Sequence, residues 1–254
     1  MEIESIIGRY LDGYDGVAVA YSGGVDSTVL LNIVSKRFPN KHVGVFVDSP
    51  LLSRRQRDSA LRTASLIGAK TVIVKLDWND LENIMKNGRE RCYHCKRAIY
   101  SVVREIADDL HISVCVDGEN SDDKPDERPG RRAAIEFSMK SPFCDLKIQR
   151  KDIVSYLNGM KLPDVVVKDT CMATRIPVGT PFSYEDLRNV EKYESVVRDV
   201  SGVNQIRVRL SGRDAVLYTS PSEICLLRER ENELKREFSS FGLSLKIDFE
   251  GYKE

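Results

Sequence analysis

The segment Ser22-Gly23-Gly24-Val25-Asp26-Ser27-Thr28 constrains this chain more than any other part of it. It lies between an apolar run at 16–20, typical of a β-strand, and an apolar stretch at 29–34, typical of a helix. Glycines let the backbone approach an anion closely, and the first free N–H groups of a helix point toward that anion. The segment therefore predicts a phosphate-binding turn with hydroxyl donors from Ser22, Ser27 and Thr28. The carboxylate of Asp26 is suited to Mg²⁺ that bridges phosphate oxygens.

No Lys follows the glycines, so the segment is not the G-x-x-x-x-G-K-[ST] loop of ordinary NTPases. It resembles instead the S-G-G-x-D-S-T signature of the PP-loop ATP pyrophosphatases. This resemblance implies that the loop holds the β,γ-pyrophosphate of ATP while a substrate oxygen attacks the α-phosphorus, and that a nucleophile then displaces AMP. It predicts ATP and Mg²⁺ as cofactors and Asp26 as a catalytic residue. The expected nucleotide contacts are Ser22, Gly23, Gly24, Asp26, Ser27, Thr28, Asp48, Ser49 and Gly118.

The charge balance gives no sign of a dedicated nucleic-acid binder, because 39 Lys and Arg residues match 39 Asp and Glu residues. No run approaches the roughly 20 apolar residues that span a bilayer. The N-terminal residues lack the basic region and the apolar core of a secretory signal. We therefore expect a cytoplasmic protein with no membrane partner.

Strand-like and helix-like patterns alternate along the chain. Strands are predicted at 16–21, 42–48, 71–76, 112–117, 204–210, 215–218 and 243–249, and helices at 1–12, 27–37, 54–67, 95–110, 183–200 and 221–238. The first part of this pattern predicts an α/β fold with a doubly wound, mostly parallel sheet. The last part predicts a small C-terminal α+β domain with a mostly antiparallel sheet. We place the two domains at 1–178 and 179–254.

Polar residues follow three of the predicted parallel strands. They are the phosphate-binding turn itself, Asp48-Ser49, and Asp117-Gly118-Glu119-Asn120. Sites in parallel sheets form at the carboxyl ends of the strands, so we expect these residues at one edge. The stretch 118–133 has the composition of a loop. In it, Asp122 or Asp123 is either a second metal ligand or part of a solvated acidic loop.

The cysteines suggest metal or sulfur chemistry, because disulfide frameworks are not expected in a reducing cytosol. Cys92 and Cys95 form a C-x-x-C pair, a spacing used in zinc, iron–sulfur and redox sites. Cys171 would complete three-cysteine ligation of a [4Fe–4S] cluster whose fourth iron is open to a non-protein ligand such as sulfide. An unmetallated surface pair and an isolated buried thiol are the alternatives.

The remaining cysteines have simpler interpretations. Cys115 lies inside an apolar strand and is expected in the core. Cys225 is expected on the apolar face of a helix, and Cys144 is left unassigned.

Several motifs together resemble the LarE family of PP-loop sulfur transferases. They are Ser22 to Thr28, Val47-Asp48-Ser49, Arg91-Cys92-Tyr93-His94-Cys95-Lys96, Asp117 to Asp123, Arg128-Pro129-Gly130, Cys171 to Pro177 and Ile206-Arg207-Val208-Arg209. They run in family order over roughly 15–210. The resemblance implies adenylation of a carboxylate of a pyridinium dicarboxylate mononucleotide, followed by its conversion to a thiocarboxylate.

The resemblance also implies roles for individual residues. It implies that the sulfur comes either from Cys171 itself or from sulfide on a [4Fe–4S] cluster held by Cys92, Cys95 and Cys171, and the presence of all three favours the cluster. It implies that Arg207 and Arg209, together with Arg175, bind anionic groups of a small nucleotide substrate. Family members assemble as hexamers, so we expect a homo-oligomer and a sulfide source as partner.

Three other functions fit parts of the same sequence. A tRNA-thiolating enzyme also combines a PP-loop with three cysteines, and its binding would depend steeply on salt. An ATP-dependent amide ligase is a second alternative, but its reaction would not require three cysteines at the site. A zinc-stabilised nucleotide sensor would bind ATP without releasing pyrophosphate.

Overall fold

The computed structural model describes residues 2–122, 129–160, 162 and 169–249. The chain forms two compact units. The first unit comprises Met1–Ile84 and Glu90–Val167, and the second comprises Met85–Arg89 and Lys168–Glu254. Residues 168–178 thus belong to the second unit, whereas the sequence predicts them in the first domain.

A four-stranded parallel sheet forms the centre of the first unit. Its strands are β1 (Val17–Tyr21), β2 (His42–Asp48), β3 (Thr71–Lys75) and β4 (Val114–Val116). The order is β3-β2-β1-β4, and every pairing between neighbours is parallel. β1 and β2 are buried along almost their whole length, which explains why they are continuous apolar runs instead of alternating ones.

Helices cover both faces of this sheet. The helices of the first unit are α1 (Glu2–Tyr10), α2 (Val25–Arg37), α3 (Arg54–Leu66), α4 (Glu82–Met85, whose last residue belongs to the second unit), α5 (Arg91–Asp109), α6 (Gly130–Glu136), α7 (Pro142–Asp145) and α8 (Arg150–Gly159). Within the described ranges, no helix has both the length and the apolar character needed to cross a membrane.

The two faces of the sheet carry separate cores. Val17 and Val19 of β1 pack with residues of α1, α2, α3 and α8, whereas Ala18 packs on the opposite side with residues of α5 and α6. Alternate side chains of one strand therefore enter different cores, as strand geometry requires. The prediction of an α/β fold with a doubly wound parallel sheet is confirmed.

The second unit contains a three-stranded sheet and its own core. Its elements are α9 (Tyr184–Ser201), β5 (Ile206–Ser211), β6 (Asp214–Thr219), α10 (Ile224–Glu229), α11 (Glu231–Ser240) and β7 (Ser244–Ile247). β5 and β6 are antiparallel, but β6 and β7 are parallel, so the sheet is mixed. The helical connection through α10 and α11 returns the chain to start β7 beside the start of β6, which produces parallel pairing.

The predicted helix at 221–238 is two helices. α10 ends at Glu229 and α11 begins at Glu231, with Arg230 between them in a non-helical conformation. This break changes which side chains face the core, and within α10 only Leu227 is buried. The expectation that Cys225 lies on an apolar face is wrong, because its side chain is exposed.

Candidate active site

The turn between β1 and α2 has the geometry of an anion-binding loop. Gly23 has φ +79°, and a Cβ there would lie 2.3 Å from the Cβ of Ala60, so glycine is required on both counts. The Ser27 hydroxyl lies 3.0 Å from the Ser22 hydroxyl and 3.1 Å from the Gly24 carbonyl oxygen. Gly24, at the N-cap of α2, has no side chain that could accept a hydrogen bond from the first N–H groups of this helix.

Gly118 brings the chain after β4 onto the start of α2. A Cβ on Gly118 would lie 2.8 Å from the Ser27 backbone nitrogen and 3.1 Å from the Asp26 carbonyl carbon. These neighbours are backbone atoms of a helix, so moving them would cost substantial conformational energy. The close approach therefore joins two predicted site segments, the phosphate-binding turn and the residues after β4.

We expect Gly118→Ala to destabilise the first unit by about 1–3 kcal/mol, because the added methyl overpacks against α2. It should also weaken ATP binding, since it displaces the first turn of α2. Chemical denaturation and nucleotide titration would measure the two effects. Gly8→Ala is the matched control: Gly8 lies within α1 with nothing within 4 Å of its Cβ position. That variant should gain up to about 1 kcal/mol. Equal behaviour of the two variants would contradict the close-approach argument.

The carboxylate of Asp26 is held by two neighbours from the first unit. Its Oδ2 accepts from the Arg150 guanidinium and, at 3.2 Å, from the Asn120 amide. Mg²⁺ prefers oxygen ligands and commonly takes one or two carboxylates together with phosphates, so the donor chemistry at Asp26 fits that ion. Asp122 is engaged elsewhere: its carboxylate accepts from the Arg150 backbone N–H at 2.8 Å. Asp123 lies outside the described residues, as does Arg128 of the family motifs.

The other predicted nucleotide contacts have local partners. Asp48, at the end of β2, accepts from Arg57 of α3 at 2.8 Å, and the Ser49 hydroxyl accepts from the Leu51 N–H at 3.2 Å. Thr28 is completely buried, and its contact with the nucleotide stays a prediction. The segments after β1, β2 and β4 lie at the carboxyl edge of the same sheet.

A second polar cluster beside this edge was missed by sequence reasoning. Lys96 of α5 forms an ion pair with Glu119, and the Tyr100 hydroxyl donates to the Asp117 carboxylate at 2.5 Å. Burial raises the pKa of Asp117, while the charge of Lys96 and the hydrogen bonds from Tyr100 and Ser141 oppose that rise. Only the four-residue spacing of Lys96 and Tyr100, which puts them on one face of a helix, could have indicated the cluster.

The three predicted cluster ligands carry thiols that are not in disulfide bonds. Cys92 and Cys95 lie in the first turn of α5, three residues apart and therefore on one face of the helix, with Cys92 exposed and Cys95 partly buried. Cys171 belongs to the second unit and is partly buried. Among the residues that the structure describes, no three His, Cys, Asp or Glu side chains are grouped to hold a metal ion.

The structure also locates the other cysteines. Cys115 is fully buried in β4, as predicted. Cys144 of α7 is partly buried and lies 3.4 Å from a nitrogen of Arg131.

Arg175 is an internal residue of the second unit, with none of its side chain exposed. Its guanidinium donates to Glu194 at 2.9 Å, to Asp169 at 2.7 Å and to the Thr170 carbonyl oxygen at 2.9 Å. Each of the three guanidinium nitrogens thus has a protein acceptor. The contacts fix the segment that carries Cys171, whose carbonyl oxygen also accepts from Arg175 at 3.3 Å. Direct substrate binding by Arg175 stays a prediction.

We expect Arg175→Met to destabilise the second unit by about 3–5 kcal/mol, because it leaves the carboxylate of Glu194, 1% exposed, without its buried partner. Urea denaturation would measure the loss. The matched control is Arg230→Met, which removes an exposed pair with Glu233 and should change stability by no more than about 0.5 kcal/mol. A loss as small as that of the control would refute the structural role of Arg175.

Arg207 and Arg209 lie two residues apart on β5 and so on one face of the strand. Arg207 is buried, whereas Arg209 is exposed and stacks over the Tyr218 ring at 4.9 Å. Burial and, secondly, the neighbouring charge of Arg175 lower the pKa of Arg207 to about 10. The surroundings of Arg207 therefore disfavour the charged form of its guanidinium.

Comparison with known proteins finds relatives that match nearly the whole chain. No family model matches it. It is 32% identical over 227 residues to a Methanocaldococcus jannaschii protein named only as uncharacterized, covering 89% of this chain and 86% of that protein. An equally uncharacterized Synechocystis protein is 31% identical over 250 residues, 96% of this chain and 92% of that protein.

A third relative has a functional name. The pyridinium-3,5-bisthiocarboxylic acid mononucleotide synthase of Lactiplantibacillus plantarum is 25% identical over 240 residues, 93% of this chain and 87% of that protein. Together with the loop, the parallel sheet and the positions of the site segments, these matches lead to one conclusion. The chain belongs to the same family as the Methanocaldococcus and Synechocystis proteins.

Proposed function

We propose that this protein is an ATP-dependent sulfur transferase that adenylates a carboxylate and replaces the activated oxygen with sulfur. The observation that carries the proposal is the turn from Ser22 to Ser27. This turn leads into the start of a helix, requires glycine at position 23 and includes the carboxylate of Asp26. These three features suit the binding of a phosphate chain with Mg²⁺. The Lactiplantibacillus relative is named as the synthase of a pyridinium bisthiocarboxylic acid mononucleotide, so our candidate acceptor is the corresponding pyridinium dicarboxylate mononucleotide.

In the first step of the proposed mechanism, a carboxylate oxygen of the acceptor attacks the α-phosphorus of ATP. The bond from that phosphorus to the bridging oxygen breaks, and pyrophosphate leaves with the electron pair. The backbone N–H groups at the start of α2 and the Ser22 and Ser27 hydroxyls hold the leaving group. Mg²⁺, when bound at Asp26, neutralises charge on the phosphates. The chain contributes by positioning and by fixed dipoles.

In the second step, a sulfur nucleophile attacks the acyl carbon of the adenylate, and AMP leaves. If the nucleophile is the Cys171 thiolate, a thioester forms first. Loss of the Cys171 Cα proton and cleavage of its Cβ–S bond then release the thiocarboxylate and leave dehydroalanine. Arg207 and Arg209 are proposed to bind the substrate phosphate, because an anion beside Arg207 would offset the burial that lowers the pKa of that residue.

For the source of the sulfur, we propose more specifically that Cys92, Cys95 and Cys171 hold a [4Fe–4S] cluster whose open iron carries sulfide. Thiolates are the ligands of such clusters. Because Cys171 belongs to a different unit from Cys92 and Cys95, we derive no step through a cluster. Assembly as a hexamer, from the family resemblance, is likewise a proposal.

The test combines the reaction with metal analysis. Purified protein is incubated without oxygen with ATP, Mg²⁺, sulfide and the mononucleotide, and pyrophosphate and thiocarboxylate are measured. The proposal predicts both products. ATP binding without pyrophosphate would favour the nucleotide sensor, and acceptor activity only with tRNA would favour the thiolating enzyme. About four irons and four sulfides per chain would support the cluster, whereas metal-free protein that loses the sulfur of Cys171 after one turnover would support the single-use donor.

A further inference from the structure

The phosphate-binding turn contains no positively charged residue. From Ser22 to Thr28 the only charged side chain is the carboxylate of Asp26, which itself repels phosphate. Mg²⁺ neutralises only part of the charge on a triphosphate, so a cationic side chain beside the turn would strengthen phosphate binding. Arg150 is in the right place, because its guanidinium forms an ion pair with Asp26.

The fold fixes the backbone of Arg150 beside the loop after β4. The Arg150 N–H donates to the Asp122 carboxylate at 2.8 Å, and the Asp122 N–H donates to the Asn120 side-chain oxygen at 2.9 Å. One residue earlier in that loop, the Ser121 N–H and hydroxyl both donate to the Ile148 carbonyl oxygen, at 3.2 Å and 2.9 Å. The start of α8 is therefore joined to the same loop whose Gly118 contacts α2.

The side chain of Arg150 has more freedom than its backbone. It is 33% exposed, while that of Asp26 is 17% exposed. A guanidinium pairs with a carboxylate or with a phosphate through the same planar set of donors. When Mg²⁺ takes the Asp26 carboxylate, the contact between the guanidinium and Asp26 is broken, and phosphate oxygens arrive next to the guanidinium.

We propose that Arg150 exchanges partners, holding Asp26 in the nucleotide-free protein and binding the phosphate chain of ATP in the complex. This inference rests on the proposed function. It makes Arg150 both a phosphate ligand and a competitor of Mg²⁺ for Asp26. These two roles have opposite consequences when the residue is replaced, which a purely structural role would not produce.

The test is titration calorimetry with inorganic pyrophosphate and with a non-hydrolysable ATP analogue over a range of Mg²⁺ concentrations. We expect Arg150→Gln to weaken pyrophosphate and analogue binding at saturating Mg²⁺ by about 10- to 100-fold, from the loss of charged hydrogen bonds. The same variant should need less Mg²⁺ for half-saturation, because no guanidinium competes for Asp26. Arg150→Lys keeps the charge and should recover part of the affinity.

Arg37→Gln is the matched control, because Arg37 forms an exposed ion pair with Asp12 at the opposite end of α2. It should bind like the wild type, and thermal unfolding of all variants would be compared. Unchanged affinity in Arg150→Gln, or a raised Mg²⁺ requirement together with lowered thermal stability, would overturn the partner exchange and leave the proposed function standing. A wild type that binds neither pyrophosphate nor the analogue would overturn both.

Discussion

Replacing Asp26 with Asn is expected to reduce acceptor-dependent pyrophosphate release from ATP by ~10²–10³-fold or more. The substitution preserves shape and removes the negative charge that would hold Mg²⁺ at the start of α2. It also removes the ion pair with Arg150 and leaves the amide contact with Asn120 to adjust. Pyrophosphate release, measured at saturating ATP and at several Mg²⁺ concentrations, reports the effect directly.

The control for this variant is Asp12→Asn, which removes an exposed carboxylate from a surface ion pair. It should release pyrophosphate at the wild-type rate. Thermal unfolding separates a lost metal ligand from a lost fold, since Asp26→Asn should still unfold cooperatively. Near-normal release by Asp26→Asn would remove the metal assignment. Recovery of activity at high Mg²⁺ would instead mean that the carboxylate aids metal binding without being essential to it.

Much of the fold could be predicted because its signals are local. The strand predicted at 42–48 matches β2, and the helix predicted at 54–67 differs from α3 by one residue. The parallel sheet follows from buried apolar runs separated by helical patterns. The helices between 130 and 159 were missed, because their sequence is polar and interrupted by turns. The parallel pairing of β6 with β7 depends on the return path of α10 and α11, which strand patterns alone do not specify.

The candidate site was predictable only where one short segment forms it. The phosphate-binding turn needs glycine for local reasons, and the positive φ of Gly23 bears this out. The partners of its charged residue were not predictable, since Arg150 lies 124 residues from Asp26 in the sequence. The burial of Arg175 was missed for a related reason: its acceptor Glu194 belongs to a different element, α9. A motif identifies residue types, whereas the packing of distant elements decides which charges are already paired.

Replacing Cys171 with Ala is expected to abolish thiocarboxylate formation while pyrophosphate release continues. Both proposed sulfur sources need this thiol, as the donor or as a cluster ligand. The backbone around it is fixed, because the Cys171 carbonyl oxygen accepts from the Thr174 N–H at 3.0 Å and from the Thr174 hydroxyl at 2.7 Å. These bonds do not involve the sulfur, so the variant should keep its local structure. Mass spectrometry of the acceptor and a pyrophosphate assay, run on the same reaction, measure both steps.

Variants of the other cysteines decide between the two sources. Cys225→Ala is the matched control, because its thiol is exposed in the same unit, and it should transfer sulfur normally. If Cys92→Ala and Cys95→Ala lose sulfur transfer together with iron, the three cysteines act as one cluster. If both retain a single turnover and only Cys171→Ala is inactive, the sulfur comes from Cys171, and the protein is consumed as it reacts. Full, repeated sulfur transfer by Cys171→Ala would exclude either source and require a sulfide nucleophile that binds without these thiols.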